Sequence, residues 1–317
     1  MFTLRTDISI GKLRFQYVAD IVIENSINTM TDTAVIKLPR NLKLNKVKLQ
    51  DVIKTGDPVI INLGYDNVMF EEFTGYVVGV KANIPIEILC ENEMYALKKT
   101  KINPKSWSKV DLKNVIKYIA PNIKYNMPEN VDLGTFRIEK DDNTTAKVLN
   151  KIKENYKLNI YFKNNILYVY YTNNSLMDKT YTYNFQKNIA ANNLEWVKED
   201  DIKIKLKAFS HLSNNTKIEI ELGDKEQDAQ TRTLDYYNIS LKTLKQIATE
   251  DLKKLKYSGY KGSITGFGRP YVEKGDIVIL KDELFPERAG RYFIDKTTVN
   301  FGSGGFRRQL ELGRRAG

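Results

Sequence analysis

The run Gly56-Asp57-Pro58-Val59-Ile60-Ile61 is echoed towards the other end of the chain by Gly275-Asp276-Ile277-Val278-Ile279-Leu280. Each run is followed by a short loop, by a Gly just before a Tyr (Gly75-Tyr76 and Gly290-Arg291-Tyr292), and by two further strand-like stretches. A strand-turn-strand unit that recurs in order restricts the chain to folds holding two related β modules. Gly56, Asp57, Gly75, Gly275, Asp276 and Gly290 are accordingly expected to be structural turns of a duplicated module. Glycine supplies backbone angles closed to other residues, and aspartate accepts turn N–H bonds.

The stretches around the first copy alternate with a period of two. Ala34, Ile36 and Leu38 share one face of a half-buried strand that Pro39 ends, and Val59, Ile61 and Leu63, then Tyr76, Val78 and Val80, then Ile84, Ile86, Ile88 and Cys90 follow. Short, closely spaced strands with turn signals predict a barrel or sandwich. From about residue 99 the period changes. Leu112, Val115, Ile116 and Ile119 make one helical face ended by Pro121, and Val148, Leu149, Ile152 and Tyr156 make another, capped by Asp142, Asn143 or Thr144. Two strands joined by Asn164 and Asn165 complete a helix-and-hairpin unit, because asparagine tolerates the positive φ of a tight turn.

Strands then return. Ile202, Ile204, Leu206 and Ala208 alternate with lysines, and Ile218, Ile220 and Leu222 alternate with Lys217, Glu219 and Glu221, so pairing these strands sets a basic face against a mostly acidic one. A helix follows from Ser240, carrying Leu241, Leu244, Ala248, Leu252 and Leu255 and ending before Gly259. The expected fold is mainly β with an α+β insert. Two related β-barrel domains (1–98 and 179–317, the second with an inserted helix at about 240–256) flank a small α/β domain (99–178).

Catalytic material is sparse. His211 is the sole histidine and Cys90 the sole cysteine, which removes histidine-based metal sites and intrachain disulfides. Cys90 falls on an apolar face and His211 between two alternating strands. The carboxylate runs Glu139, Asp141, Asp142 and Glu199, Asp200, Asp201 sit at element starts, where acids cap backbone donors. The glycines from Gly259 to Gly268 lack the Lys-Ser/Thr ending of a phosphate loop and precede a strand, and Gly302 to Gly305 read as a hairpin turn. No catalytic residue, metal or cofactor is expected, and the chain reads as a non-enzyme. A 42% hydrophobic and 11% aromatic composition over 317 residues supports packed cores without a spanning segment or signal peptide, so a soluble protein without membrane insertion is expected. The net charge of +11 admits a basic β-barrel that binds nucleic acid or saccharide. Dispersal of the lysines among apolar residues speaks instead for solvated sheet faces.

Residues 244–252, then YKGSITGFGRPYVEKGDIVIL, AGRYFID and GFRRQLELG, resemble in order and spacing the tail hub proteins of contractile phages. That family includes the late-control-D type and the T-even baseplate hub, and is related to the N-terminal part of VgrG. DTAVIKLPRN, FTGYVVGV and ILCENEMYALKK are similar to its first barrel, and AKVLNKIKENYKLNIYFKNNILYV to its interposed domain. The resemblance implies a homotrimeric ring adapting a six-fold tail tube to a three-fold spike. Its partners would be the tube protein, a separate spike protein, and the tape measure protein or transiting DNA in the lumen. Such a particle would assemble in a bacterial cytoplasm, as part of a virion or an injection machine.

Overall fold

The computed structural model describes residues 3–39, 52–82, 84–127, 130–170, 179–212, 215–226 and 228–316. The first body holds β1 (Leu4–Ile10), β2 (Leu13–Phe15), β3 (Asp20–Ser26), β4 (Thr33–Leu38), β5 (Pro58–Tyr65), β6 (Val68–Lys81), β7 (Ile86–Glu91) and the short helix α1 (Met94–Lys99). In β4 the period-two pattern buries Ala34, Ile36 and Leu38, which pack with Ile21, Ile23, Val59, Ile61 and Cys90 in one apolar core.

The middle of the chain comprises β8 (Lys105–Asp111), α2 (Leu112–Ile119), β9 (Tyr125–Asn126), β10 (Asp132–Ile138), α3 (Thr145–Tyr156), β11 (Asn159–Lys163) and β12 (Ile166–Tyr170). Asp111 caps α2 by accepting from Asn114 N at 2.8 Å, and Thr144 caps α3. Asn164 and Asn165 take φ of 51° and 59° and turn β11 into β12.

The last part holds β13 (Thr180–Asn184), β14 (Ile189–Val197), β15 (Ile204–His211), β16 (Lys217–Gly223), β17 (Gln230–Tyr237), α4 (Leu241–Leu255), β18 (Gly259–Phe267), β19 (Ile277–Lys281), β20 (Gly290–Gly302) and β21 (Gly305–Arg315). β15 and β16 pair antiparallel, and Glu221 lies 3.5 Å from Lys205 and 3.7 Å from Lys207. The inner faces of β15 to β17 and of α4 share one core with α2 and α3. That core joins residues on both sides of the expected boundary at 178.

The expectation of two β-barrels is overturned, because among the described residues no sheet closes on itself. The two β modules are parts of one open sheet of 13 strands, running β14-β18-β21-β20-β3-β4-β7-β6-β5-β1-β2, with β19 on β20 and β13 on β19. The cause is a mismatch in strand length. β20 is 13 residues long and β19 only 5, so β19 covers β20 from Gly290 to Phe293 and leaves the rest of that edge open. β3 occupies it, from Lys296↔Ser26 to Gly302↔Asp20. The sheet therefore continues from one module into the other instead of curling shut.

Candidate functional site

The two Gly-Asp turns have matching backbone geometry. Gly56 and Gly275 have φ of 96° and 83°, where L side chains are strained. Gly56 N donates to Val77 O at 2.8 Å and Val77 N to Asp57 O at 2.9 Å, while Gly275 N donates to Ile294 O at 2.7 Å and Ile294 N to Asp276 O at 2.9 Å. Each aspartate accepts from the backbone N–H three residues earlier, Asp57 from Lys54 at 2.8 Å and Asp276 from Glu273 at 2.9 Å. A Cβ on either glycine would stand 3.4 Å from a tyrosine hydroxyl, that of Tyr95 or of Tyr161.

From these turns the match extends through the ladders. β6 pairs with β7 through Val77↔Cys90, Gly79↔Leu89 and Val80↔Ile88, and β20 pairs with β21 through Ile294↔Leu312, Lys296↔Glu311 and Thr297↔Leu310. In each hairpin one residue is bulged out at the same step, Val78 in the first and Asp295 in the second. The strand order β3-β4-β7-β6-β5 thus corresponds to β14-β18-β21-β20-β19. The other pair of glycines does not line up. Gly75 faces Val59, two residues before Val77, whereas Gly290 faces Leu280, four residues before Ile294. Gly75 meets a different need, since a Cβ there would collide with the Glu91 carbonyl.

Three buried ion pairs gather where the modules meet the middle of the chain. Lys274, 3% exposed, donates to both oxygens of Asp32 at 2.6 Å, and Asp32 also accepts from Ser26 N at 3.1 Å and Asn92 Nδ2 at 3.0 Å. Burial pushes the Asp32 carboxyl up and the Lys274 ammonium down, and the attraction between them opposes both shifts. Lys163 on β11 donates to the fully buried Asp276 at 3.0 Å. Arg308 on β21 donates to Glu72 on β6 at 2.5 Å, and burial raises the Glu72 carboxyl. Of these residues the sequence singles out Asp276 alone, and as a turn residue, not as the partner of a buried cation. Lys163 and Arg308 carry a faint signal there, because each sits in register with inward-facing apolar neighbours such as Tyr161, Phe306 and Leu310.

The other residues weighed for chemistry lie apart. Cys90 is buried and its thiol is pushed up to about 12 by desolvation, which leaves it protonated and unreactive at neutral pH. His211 ends β15 at the surface, its Nε2 3.0 Å from Asp235 Oδ1. Asp142 pairs with Lys151 at 2.6 Å, and Glu199 to Asp201 form an exposed single turn. Among the described residues no group of three or more His, Cys, Asp or Glu is placed to hold a metal, and no helix is long and apolar enough to cross a membrane.

No protein-family model and no curated protein sequence matches the chain. Solved structures do. A tail protein from Neisseria meningitidis superimposes with a TM-score of 0.67 at 15% identity, over 98% of this chain and 96% of that one. A 43 kDa prophage tail protein from Shewanella oneidensis gives 0.66 at 15% identity, over 98% of each chain. An E. coli component of the type VI secretion system, described as structurally similar to the T4 tail proteins gp27 and gp5, gives 0.59 at 8% identity over 98% of this chain and 77% of that one. The chain has the fold of phage tail proteins and of their secretion-system counterparts, along nearly its whole length.

Proposed function

We propose that this chain is a structural, non-catalytic subunit of the hub of a phage tail or a related contractile injection machine. In this reading three copies form a ring that receives a six-fold tube on one side and a three-fold spike on the other. The observation that carries it is the doubled five-strand topology, because a ring of three chains with two equivalent modules each presents six similar surfaces. The whole-length likeness to tail proteins supports the same reading. The tube and spike proteins are its partners, with the tape measure protein or passing DNA in the lumen and assembly in the bacterial cytoplasm. Residues 1–98, 99–178 and 179–317 serve as its working divisions, with the Gly56-Asp57 and Gly275-Asp276 turns as equivalent points of the two modules. Native mass measurement and symmetry averaging of isolated particles test this, with a mass of three chains and three-fold symmetry expected. A two-fold dimer overturns it.

A further inference from the structure

Within the chain, β20 offers one edge to two partners in succession, β19 up to Phe293 and β3 from Lys296 onwards. β6, its counterpart, pairs with β5 only as far as Tyr76, with Val77 still bonded to Asp57. From Gly79 to Lys81 no strand among the described residues pairs with that edge. The strand that corresponds to β3 is β14, which among the described residues pairs with β18 alone and forms one end of the sheet. Its nine residues, IAANNLEWV, contain no proline, no lysine and a single charge, and four in a row, Ala190 to Asn193, are exposed. Solitary proteins blunt such edges with charges, prolines or bulges, and β14 has one register irregularity, between Ile189 and Ala191, while its ladder from Ala191 to Val197 is regular.

We propose that β14 of one copy of this chain pairs antiparallel with the open edge of β6 of the next copy, reproducing between chains the β3–β20 junction made within each chain. Carrying the internal register across sets Gly79 opposite Val197, Val80 opposite Trp196 and Lys81 opposite Glu195 of the neighbouring copy. This follows from the correspondence of Lys296↔Ser26, Thr297↔Asn25 and Thr298↔Glu24 with those positions. The chemistry fits the register. Val80 and Trp196 are both half-buried and apolar, and Lys81, which lies 3.7 Å from Glu87 of its own hairpin, gains a carboxylate directly across the seam. A junction between unlike edges is head-to-tail, so it does not stop at a pair: it generates a ring where the rotation between copies closes, as the ring reading requires, and an open filament where it does not. The hairpin of β6 and β7 makes its last pair at Lys81↔Glu87, whereas that of β20 and β21 runs on to Gly302↔Gly305, so the seam between chains is the shorter of the two.

The inference rests on the ring reading above for the number of copies only. Lys81→Cys combined with Glu195→Cys, oxidised in the assembled protein, is expected to give covalent species up to three chains long. Lys81→Glu alone is expected to raise the concentration needed for assembly about tenfold or more, and Glu195→Lys added to it to restore assembly to within about threefold. Both positions lie at the surface, and because Lys81→Glu also sets a like charge opposite Glu87 in its own hairpin, recovery in the double variant separates the seam from that local effect. Rings that form normally, resist cross-linking at this pair and ignore the charge reversal overturn the junction and leave the ring reading standing. A chain that stays monomeric at every concentration overturns both.

Discussion

The two copies of the module differ less in their ladders than in what surrounds them. Both have a Gly-Asp turn with positive φ, the same reciprocal backbone bonds and a bulge at the same step. The second turn lies inside the molecule, with Asp276 fully buried against Lys163, whereas Asp57 is half-buried and pairs with no cation among the described residues. One backbone geometry thus serves a cemented position in one copy and an open one in the other.

This difference has its largest consequence at the two aspartates. Asp276→Ala leaves the Lys163 ammonium buried without that carboxylate and also removes the acceptor for Glu273 N–H, an expected loss of about 3–5 kcal/mol. Asp57→Ala gives up the turn bond to Lys54 N–H and is expected to cost about 1 kcal/mol. Denaturant unfolding of the two variants measures both. Equal losses would mean that the buried ion pair adds nothing to the turn.

The second contrast lies at the bulge, where Val78 in one copy stands for Asp295 in the other. Burial raises the Asp295 carboxyl to about 6, with Glu311 adding to the shift while Lys254 and Arg314 oppose it. A carboxyl whose folded value lies above its unfolded one binds more protons in the native state, so its contribution is full below about pH 4 and is lost as pH rises through about 6. The loss amounts to about 3 kcal/mol at neutral pH, for a shift of roughly two units. Asp295→Asn is therefore expected to gain on the parent protein between pH 4 and 8 in thermal unfolding. A gap that stays constant across that range sinks the assignment.

How much of this was legible in the sequence depended on sequence distance. The helical faces of α2 and α3, the Asn164-Asn165 hairpin and the alternation in β4 are set by neighbours within a few residues, and they stand where their periods put them. The joining of β20 to β3 links residues at opposite ends of the chain, and no local pattern distinguishes it from closure of each module on itself. The ion pairs Asp32 with Lys274 and Glu72 with Arg308 are equally remote, and their charged residues read as surface until the fold brings them together. In the sequence Gly290 aligns with Gly75 through a nearby tyrosine, but the ladder offsets the two glycines, since identity of a short motif does not fix strand register.

The smallest and most discriminating effect is expected at the turn glycines. Gly56→Ala and Gly275→Ala each place a Cβ on a backbone with positive φ, which costs roughly 1–2 kcal/mol whatever surrounds it. The added Cβ meets no severe clash in either copy, because its nearest neighbour is a tyrosine hydroxyl at 3.4 Å in both. Burial therefore does not separate the two sites, although it separates the aspartates that follow them. The two variants should lose the same stability to within about 0.5 kcal/mol in parallel denaturant titrations, as expected where backbone strain alone acts. A clearly greater loss at Gly275 would mean that its surroundings resist the relaxation allowed at Gly56, and the equivalence of the turns would then be one of hydrogen bonding without one of energy.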